Sequence, residues 1–301
     1  MNLFGFLGGI FGWVLYGAYW LVHNYGLAIL IFTIFTKLIF FPSTIKQQKS
    51  MAKNARLSGQ MQALREKYGN NREKLNEETQ KLYEKEGTSP YSGCMSSILP
   101  MFLLLGVFYA VAYPLTNTLH IDSSMVANAK DALAAIPGLN LSASQQYEGQ
   151  VDVLMYVNAF PSIRECFGDM SNKVVEFSNS FNLCGLNLLV SPSQLGFSVY
   201  LIIPFLCFAT SVASQIVMQK LNGTGQQQQG CMKLMMYGLP LFSAYIAYSV
   251  PAAVGFYWIC STAISFVQSL IVHKYFGPGM MIARGEAARV ALLEQQESLV
   301  K

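Results

Sequence analysis

One lysine follows directly on an apolar run of the sequence. No residue from Tyr25 to Thr36 is charged, and Lys37 comes next. A cation in a helix suited to the bilayer core costs about 2.5–3.5 kcal/mol on insertion-based scales, so such a residue usually has a function. Thr33 lies four residues before Lys37, on the same face of a helix, and Thr36 adjoins it. This group could attract an anion at membrane depth.

Two later apolar runs carry polar stripes with helical spacing. One contains Ser211, Ser214 and Gln215, of which the first and last are four residues apart. The other contains Trp258, Ser261, Ser265 and Gln268, which are spaced three, four and three residues apart. Tyr257 adjoins the first of them. Polar groups at membrane depth are tolerated against protein or a water-filled cavity. Together with Lys37, the stripes predict a hydrophilic, positively charged groove.

Simpler explanations exist for each stripe taken alone. Serine and threonine hydroxyls in membrane helices routinely form interhelical hydrogen bonds, worth about 0.6 kcal/mol each. Lys37 lies five residues before Pro42, so its long side chain could reach the cytoplasmic interface. Against this second explanation, the five spans predicted next contain no Asp or Glu to neutralise the charge. Water beside Lys37 is therefore the better interpretation.

The composition is typical of a helical membrane protein. Of the 301 residues, 52% are hydrophobic and 12% are charged, whereas about 25% are charged in ordinary soluble domains. The mean hydropathy is +0.34. Five runs approach the ~20 residues that cross a bilayer, and we number them as the first to fifth spans: 25–42, 95–115, 196–218, 232–250 and 252–273. We therefore predict an all-α membrane protein with five transmembrane helices.

The apolar segment before the first span, residues 1–24, allows two interpretations. It lacks the basic start of a secretory signal, so we do not expect cleavage, and its many aromatic residues favour the headgroup region. We predict an interfacial helix at the outer face, with a sixth span as the alternative. The spacings Gly5/Gly9 and Gly8/Gly12 fit a close helix contact.

The distribution of charge predicts the orientation. Residues 43–94 contain ten Lys or Arg, whereas the 116–195 loop contains three, together with seven Asp or Glu. Positively charged loops remain in the cytoplasm. This rule places 43–94, the 219–231 connector and the basic 274–301 tail inside, and the 116–195 loop outside. The N-terminus is then outside and the C-terminus inside.

The cytoplasmic segment 43–94 is predicted to form a helical hairpin. Small or apolar residues recur every three or four positions from 51 to 68, and a break follows at 69–71. The second helix would be supported by Glu77 and Lys81, which are four residues apart. A solvated spacer explains this pattern equally well.

Sequence motifs of several function classes are missing. There is no Gly-rich phosphate loop and no Gly-x-Ser-x-Gly nucleophile motif, and His23, His120 and His273 lack zinc-ligand spacing. We expect no cofactor, metal or enzymatic activity. The lack of Asp or Glu in all five spans also argues against an ion-coupled transporter, which usually needs a carboxylate there. Cys166 and Cys184 share the outer loop, where a disulfide is possible.

Four sequence blocks in the spans and the adjoining hairpin match the pattern of one family. They are the blocks 24–33, 37–51, 100–110 and 255–258, which include the runs YGLAI, IKQQKSM, PMFLLLGVFYA and GFYW. Through them the chain resembles the YidC/Oxa/Alb membrane-protein insertases over roughly 20–115 and 196–275, in the expected order and topology.

The resemblance implies a five-helix core around a groove that is open to the cytoplasm and the bilayer but closed to the outside. A cation in the first span would attract the acidic outer segment of a client, which then slides along the third and fifth spans into lipid. The hairpin would receive nascent clients, and the basic tail could contact ribosomes. The chain departs from the family at Lys37, where such members usually carry Arg, and in its longer 116–195 loop. Lys keeps the charge but lacks the guanidinium fork.

We therefore predict a bacterial plasma-membrane insertase and chaperone for small membrane proteins, without nucleotide hydrolysis. Its partners would be nascent clients and the lipid bilayer, with no direct reading of nucleic acid; action alone and action beside the Sec translocon both stay open. Lys37 would be the attractant, and the three polar stripes would line the groove. The alternative is a small channel or facilitator for an anionic solute, and a membrane enzyme is a third, weaker interpretation.

Overall fold

The computed structural model describes most of the chain. The described residues are 3–69, 71–85, 106–139, 145–222 and 231–277, with isolated residues beyond 279. Six predicted segments lie partly outside them: 1–24, 43–94, 95–115, 116–195, 219–231 and 274–301. The described part is mostly helical, in agreement with the predicted class.

The chain forms two compact units, which we describe separately. The first consists of Met1–Leu38, Met101–Ser214 and Gly230–Ile264, and the second of Ile39–Pro100, Gln215–Gln229 and Ser265–Lys301. The α-helices, numbered in chain order, are α1 (Leu3–Val22), α2 (Tyr25–Ile39), α3 (Phe41–Tyr68), α4 (Arg72–Lys85), α5 (residues 106–112), α6 (Ser123–Ala134), α7 (Gln145–Tyr156), α8 (Pro161–Glu165), α9 (Ser171–Asn179), α10 (Ile202–Asn222), α11 (Cys231–Ser249) and α12 (Ala252–Phe276). A π-helical turn (Pro114–Thr118) follows α5, and β1 (Asn182–Leu183) pairs antiparallel with β2 (Leu186–Asn187).

Three of the described helices are long and apolar enough to cross a membrane. They contain the segments Gly5–Val22, Val199–Leu221 and Ala252–Tyr275, and the bent pair Tyr25–Ile39 and Phe41–Gln48 makes a fourth if it is one span. The second predicted span is represented by α5 and the fourth by α11. The count of five spans stays a prediction, because the N-terminal helix α1 also meets the criteria.

Helix α2 ends before the end of the first predicted span. The sequence predicts a span to residue 42, but α2 ends at Ile39 and α3 begins at Phe41. Pro42 lies in the first turn of α3. Proline lacks the N–H that a helix interior requires and is tolerated in a first turn. The chain therefore starts a new helix here instead of extending α2.

One of the two predicted glycine pairs makes a close helix contact. A Cβ on Gly12 would overlap the backbone carbonyl of Asn117, and one on Gly8 would lie 2.9 Å from the Tyr109 Cβ. A Cβ on Gly5 or Gly9 would meet no described atom within 4 Å. The Gly8/Gly12 face thus lets α1 approach α5 and the π-helical turn, while no residue that the structure describes packs against the Gly5/Gly9 face.

Helices α1 and α2 form a hairpin around His23, which has a positive φ of 50°. The Phe11 and Phe32 rings contact edge to face at 6.1 Å between centroids. At 1.5 Å per residue, Phe11 lies about 18 Å along α1 from the turn. Leu7 and Phe11 also contact Gly106 of α5. Helix α1 therefore runs beside α2 over much of its length, and its placement as an interfacial helix or as a sixth span stays a prediction.

The predicted outer loop contains a folded segment, which we call the loop domain (residues 119–194). Short helices α6 to α9 pack around buried apolar side chains, among them Val126, Leu133, Leu154, Ile163, Phe167 and Val174. Strands β1 and β2 are joined by Cys184 and Gly185, with φ of 52° and 83°. Two central residues with positive φ are typical of a type I′ hairpin turn. The sequence did not predict this domain.

The second unit contains α3 and α4, which contact each other. Side chains 49–59, on which the predicted stripe partly depends, lie outside those described. In α4 the predicted pair is present: Lys81 Nζ lies 2.8 Å from Glu77 Oε1, and also 3.1 Å from Glu78 Oε1. The hydrogen bond from Lys81 lowers the pKa of Glu77, so this pair stays ionised at neutral pH.

Candidate functional site

The threonines of the first stripe use their hydroxyls within α2. Thr33 is fully buried and donates to the Ile29 carbonyl at 2.6 Å. Thr36, also buried, donates to the carbonyls of Phe32 at 2.9 Å and Thr33 at 3.0 Å. Such bonds to the preceding turn satisfy a hydroxyl without any partner outside the helix. The threonines therefore need no water-filled cavity to explain them.

Lys37 is half-buried in the last turn of α2. Because α2 ends at Ile39 rather than at residue 42, Lys37 lies in the last turn of the helix, whose final carbonyl groups have no partner within it. These carbonyls carry the negative end of the helix dipole, which favours a cation by about 0.3–1 kcal/mol. A cation in this last turn therefore costs less free energy than one in the middle of a helix.

The two remaining stripes differ in burial. Ser211, Ser214 and Gln215 on α10 are partly exposed. On α12, Trp258 and Ser265 are partly exposed, and three residues are buried: Tyr257, Ser261 and Gln268. Each of these two stripes is divided between the compact units, since Gln215, Ser265 and Gln268 belong to the second unit. The first unit therefore holds eight of the predicted site residues: Thr33, Thr36, Lys37, Ser211, Ser214, Tyr257, Trp258 and Ser261.

The indole of Trp258 has an unsatisfied donor. Its Nε1 is buried and finds no acceptor among the described residues. Leaving a buried donor without a hydrogen bond costs about 1–3 kcal/mol, and such groups often mark places that water or a ligand occupies. A bound water or a peptide carbonyl would remove this cost.

The loop domain packs on the Tyr25 end of α2. The Tyr25 ring stacks on Phe181 at 4.1 Å and contacts Phe177 edge to face at 5.2 Å. The Tyr25 N–H donates to the Ser180 carbonyl at 3.0 Å. A Cβ on Gly26 would lie 2.8 Å from the Leu183 Cδ2, so glycine is needed for this approach. This end of α2 is therefore closed by protein.

Side-chain amides reinforce the same contact. Asn24 Nδ2 donates to the Asn182 carbonyl at 2.8 Å, while Asn24 Oδ1 accepts from the Leu27 N–H at 3.1 Å. The second bond caps the N-terminus of α2, as asparagine commonly does. One residue thus starts the helix and fastens it to the loop domain.

The loop domain also holds the ends of other helices. Gln150 Oε1 accepts from the N–H groups of Leu115 at 3.0 Å and Thr116 at 3.2 Å, which caps the π-helical turn after α5. At the start of α12, the Ala252 N–H donates to the Val190 carbonyl at 3.0 Å and the Ala253 N–H to the Leu188 carbonyl at 2.8 Å. No local sequence pattern indicated these contacts of the loop domain. Only Asn24, which stands just before an apolar run, carried a visible helix-start signal.

The disulfide that the sequence left open is not formed. Cys166 and Cys184 are both free thiols in the structure. Cys184 is exposed at the hairpin turn, while the Cys166 thiol donates to the Ser162 carbonyl at 3.3 Å. The two cysteines of the loop domain therefore make no cross-link.

Comparison with known proteins agrees with the blocks seen in the sequence. Residues 17–278 match the family model described as 60Kd inner membrane protein. Proteins named membrane protein insertase YidC are 27% identical over 258 residues in Treponema denticola and 25% identical over 253 residues in Fusobacterium nucleatum. The ALBINO3-like protein 1, chloroplastic, of Arabidopsis thaliana is 26% identical over 258 residues.

The matched regions cover different shares of the relatives. Each covers 84% or 85% of this chain, but 35% of the Treponema protein, 44% of the Arabidopsis protein and 88% of the Fusobacterium protein. The chain thus spans about a third of the length of its Treponema relative. Because the family model matches most of the sequence, this chain belongs to the 60Kd inner membrane protein family, the YidC/Oxa/Alb family that its sequence blocks resemble.

Proposed function

We propose that this chain is a membrane-protein insertase and chaperone that works through a positively charged groove, without nucleotide hydrolysis. The observation that carries the proposal is Lys37, a half-buried cation in the last turn of α2, a helix whose other end is packed under the loop domain. Relatives that carry the insertase name support the same function. The chain would act as a multi-pass protein of the bacterial plasma membrane, with the loop domain outside and the C-terminus in the cytoplasm.

The chemistry of the groove is electrostatic. A carboxylate that leaves water for a low-dielectric region loses hydration worth several kcal/mol. A cation at the same depth, with water beside it, offsets part of that loss. The client's acidic outer segment would approach Lys37 from the cytoplasm, and its apolar segment would leave along α10 and α12 into lipid. The polar side chains lining the path would be Thr33, Thr36, Ser211, Ser214, Gln215, Tyr257, Trp258, Ser261, Ser265 and Gln268.

Other segments would deliver clients to the groove. The α3–α4 hairpin would receive nascent chains on the cytoplasmic side, and the basic tail could contact ribosomes. The Sec translocon is a further candidate partner. The anion-channel alternative is less well supported, because the loop domain is packed on the Tyr25 end of α2 and on the start of α12.

A reconstituted insertion assay tests the proposal. We expect purified protein in sealed liposomes to protect the short acidic tail of a cotranslationally made single-span client from protease, several-fold above empty liposomes. Anion flux through the same liposomes is measured in parallel. Protection equal to that of empty liposomes, from a preparation with native helical content, contradicts the insertase. Steady flux in that case supports the channel.

Cys184 allows a direct test of the orientation. A variant that keeps Cys184 and replaces the other cysteines with serine should react with a membrane-impermeant maleimide in intact cells, because this thiol is exposed at the hairpin turn. A matched variant that keeps only Cys260, which is buried in α12, should react after denaturation alone. Labelling of Cys184 that requires cell lysis would place the loop domain in the cytoplasm.

A further inference from the structure

The segment between the loop domain and α10 exposes apolar side chains. We call residues 195–199 the apolar loop; the third span was predicted to begin at residue 196, but α10 begins only at Ile202, after a 3₁₀ turn at Val199–Leu201. Leu195 is 48% exposed, Phe197 104% and Val199 70%. Single exposed apolar residues are common on protein surfaces, but a fully exposed phenylalanine between two other exposed apolar residues forms a patch that usually has a partner.

The apolar loop is held at both ends. Before it, Ser191 and Gln194 form a capping box, in which the Ser191 N–H donates to Gln194 Oε1 at 3.4 Å. After it, the Tyr200 hydroxyl accepts from the Asn187 N–H at 2.8 Å. Gly196 has a positive φ of 58°, a conformation that residues with a side chain rarely adopt. The backbone is thus fixed in a shape that presents the Phe197 ring to its surroundings.

The apolar loop continues directly into a membrane-spanning candidate. The apolar segment Val199–Leu221 begins within it, and α10 exposes Ile202 at 46% and Phe205 at 66%. In a chain that crosses the bilayer, such side chains face lipid. Phe197 lies five residues before Ile202, so it falls at the headgroup level of the same leaflet.

The lack of charged residues around the apolar loop also indicates lipid as its partner. No charged residue occurs between Glu176 and Lys220, a stretch that includes the β-hairpin, the apolar loop and most of α10. Segments that stay in water normally carry charges, whereas each charge that a surface buries against lipid costs free energy. Aromatic side chains, in contrast, are enriched at the membrane–water interface.

We propose that the apolar loop inserts the Phe197 ring into the interfacial region of the bilayer, on the side of the loop domain, and so anchors that domain to lipid. The anchor fixes the distance between the loop domain and the membrane at the start of α10. It depends on α10 crossing the bilayer and not on the insertase activity, so the two proposals fail separately.

Spin labelling measures the depth directly. Phe197→Cys and, as a matched control, Ser193→Cys are made in a cysteine-free background, since Ser193 is exposed and polar four residues earlier. Each full-length variant carries a nitroxide label and is reconstituted in phosphatidylcholine–phosphatidylglycerol liposomes. Collision rates with oxygen, which concentrates in lipid, and with a water-soluble nickel chelate then give the depth of each label.

We expect the label at 197 to collide several-fold more with oxygen, and several-fold less with the nickel chelate, than the label at 193. Equal access to the chelate at the two positions would show that the loop lies in water. Low access to both reagents, or spin–spin broadening between labels, would show that protein or a second copy covers the loop. Either of the last two results overturns the lipid anchor.

Discussion

Replacing Gly12 with alanine should strongly destabilise the first unit. The new Cβ would overlap the backbone carbonyl of Asn117, which cannot turn away as a side chain can. Overpacking a tight contact costs about 1–3 kcal/mol and more where the backbone must move, so we expect about 3 kcal/mol. For a protein of this size that corresponds to a fall of about 5 °C in the thermal midpoint. Thermal unfolding of the purified protein in detergent measures it.

Gly9 provides a matched control on the same helix. A Cβ there meets no described atom within 4 Å, so Gly9→Ala should leave the thermal midpoint unchanged or raise it slightly through better helix propensity. If Gly12→Ala behaves like Gly9→Ala, α1 does not pack on the π-helical turn.

The helices and the contacts within a helix could be predicted, because neighbouring residues in the sequence determine them. The apolar runs produced the helices, since each run satisfies its own backbone hydrogen bonds. The Glu77–Lys81 pair followed from a four-residue spacing. The start of α3 was also predictable, because Pro42 is visible in the sequence. The apolar run did not show the break at Phe40, which divides the first predicted span between two helices.

Long-range contacts could not be predicted from spacing. Gly8/Gly12 and Gly5/Gly9 are equivalent patterns in the sequence, and only Asn117, about a hundred residues later, distinguishes them. The loop domain presented the same difficulty. Its contact with α2 joins Tyr25 to Phe181, so no local window contains both partners. One residue of this contact, Asn24, did carry a local helix-start signal.

The sequence predicted which helices carry the site residues, but not the hydrogen bonds that those residues make. Helical spacing located all three polar stripes, and the structure places each on a helix. Spacing could not show that the Thr33 and Thr36 hydroxyls bond within α2, or that α2 ends just after Lys37. Both facts change the interpretation: the threonines are explained by the helix alone, while the lysine gains a favourable helix end.

Replacing Lys37 with methionine, which keeps a long unbranched side chain, should selectively reduce insertion of clients with acidic outer tails. Two unit charges about 8 Å apart in an effective dielectric constant of about 20 attract by about 2 kcal/mol, or about 30-fold in rate. Because client contact is transient, we expect about a tenfold loss for the acidic tail. A client that differs only in a neutral tail should lose less than about twofold in the same protease-protection assay.

Lys37→Arg separates charge from structure. Arginine keeps the cation and adds donors in a fixed fork, so it should retain insertion of the acidic tail at or above the level of the unmodified chain. Lys37→Met also removes the favourable interaction with the end of α2, and a general loss of stability would lower insertion of both clients equally. The ratio of acidic-tail to neutral-tail insertion is therefore the decisive quantity. An unchanged ratio in Lys37→Met would remove Lys37 from the client path and leave it as a residue that ends α2.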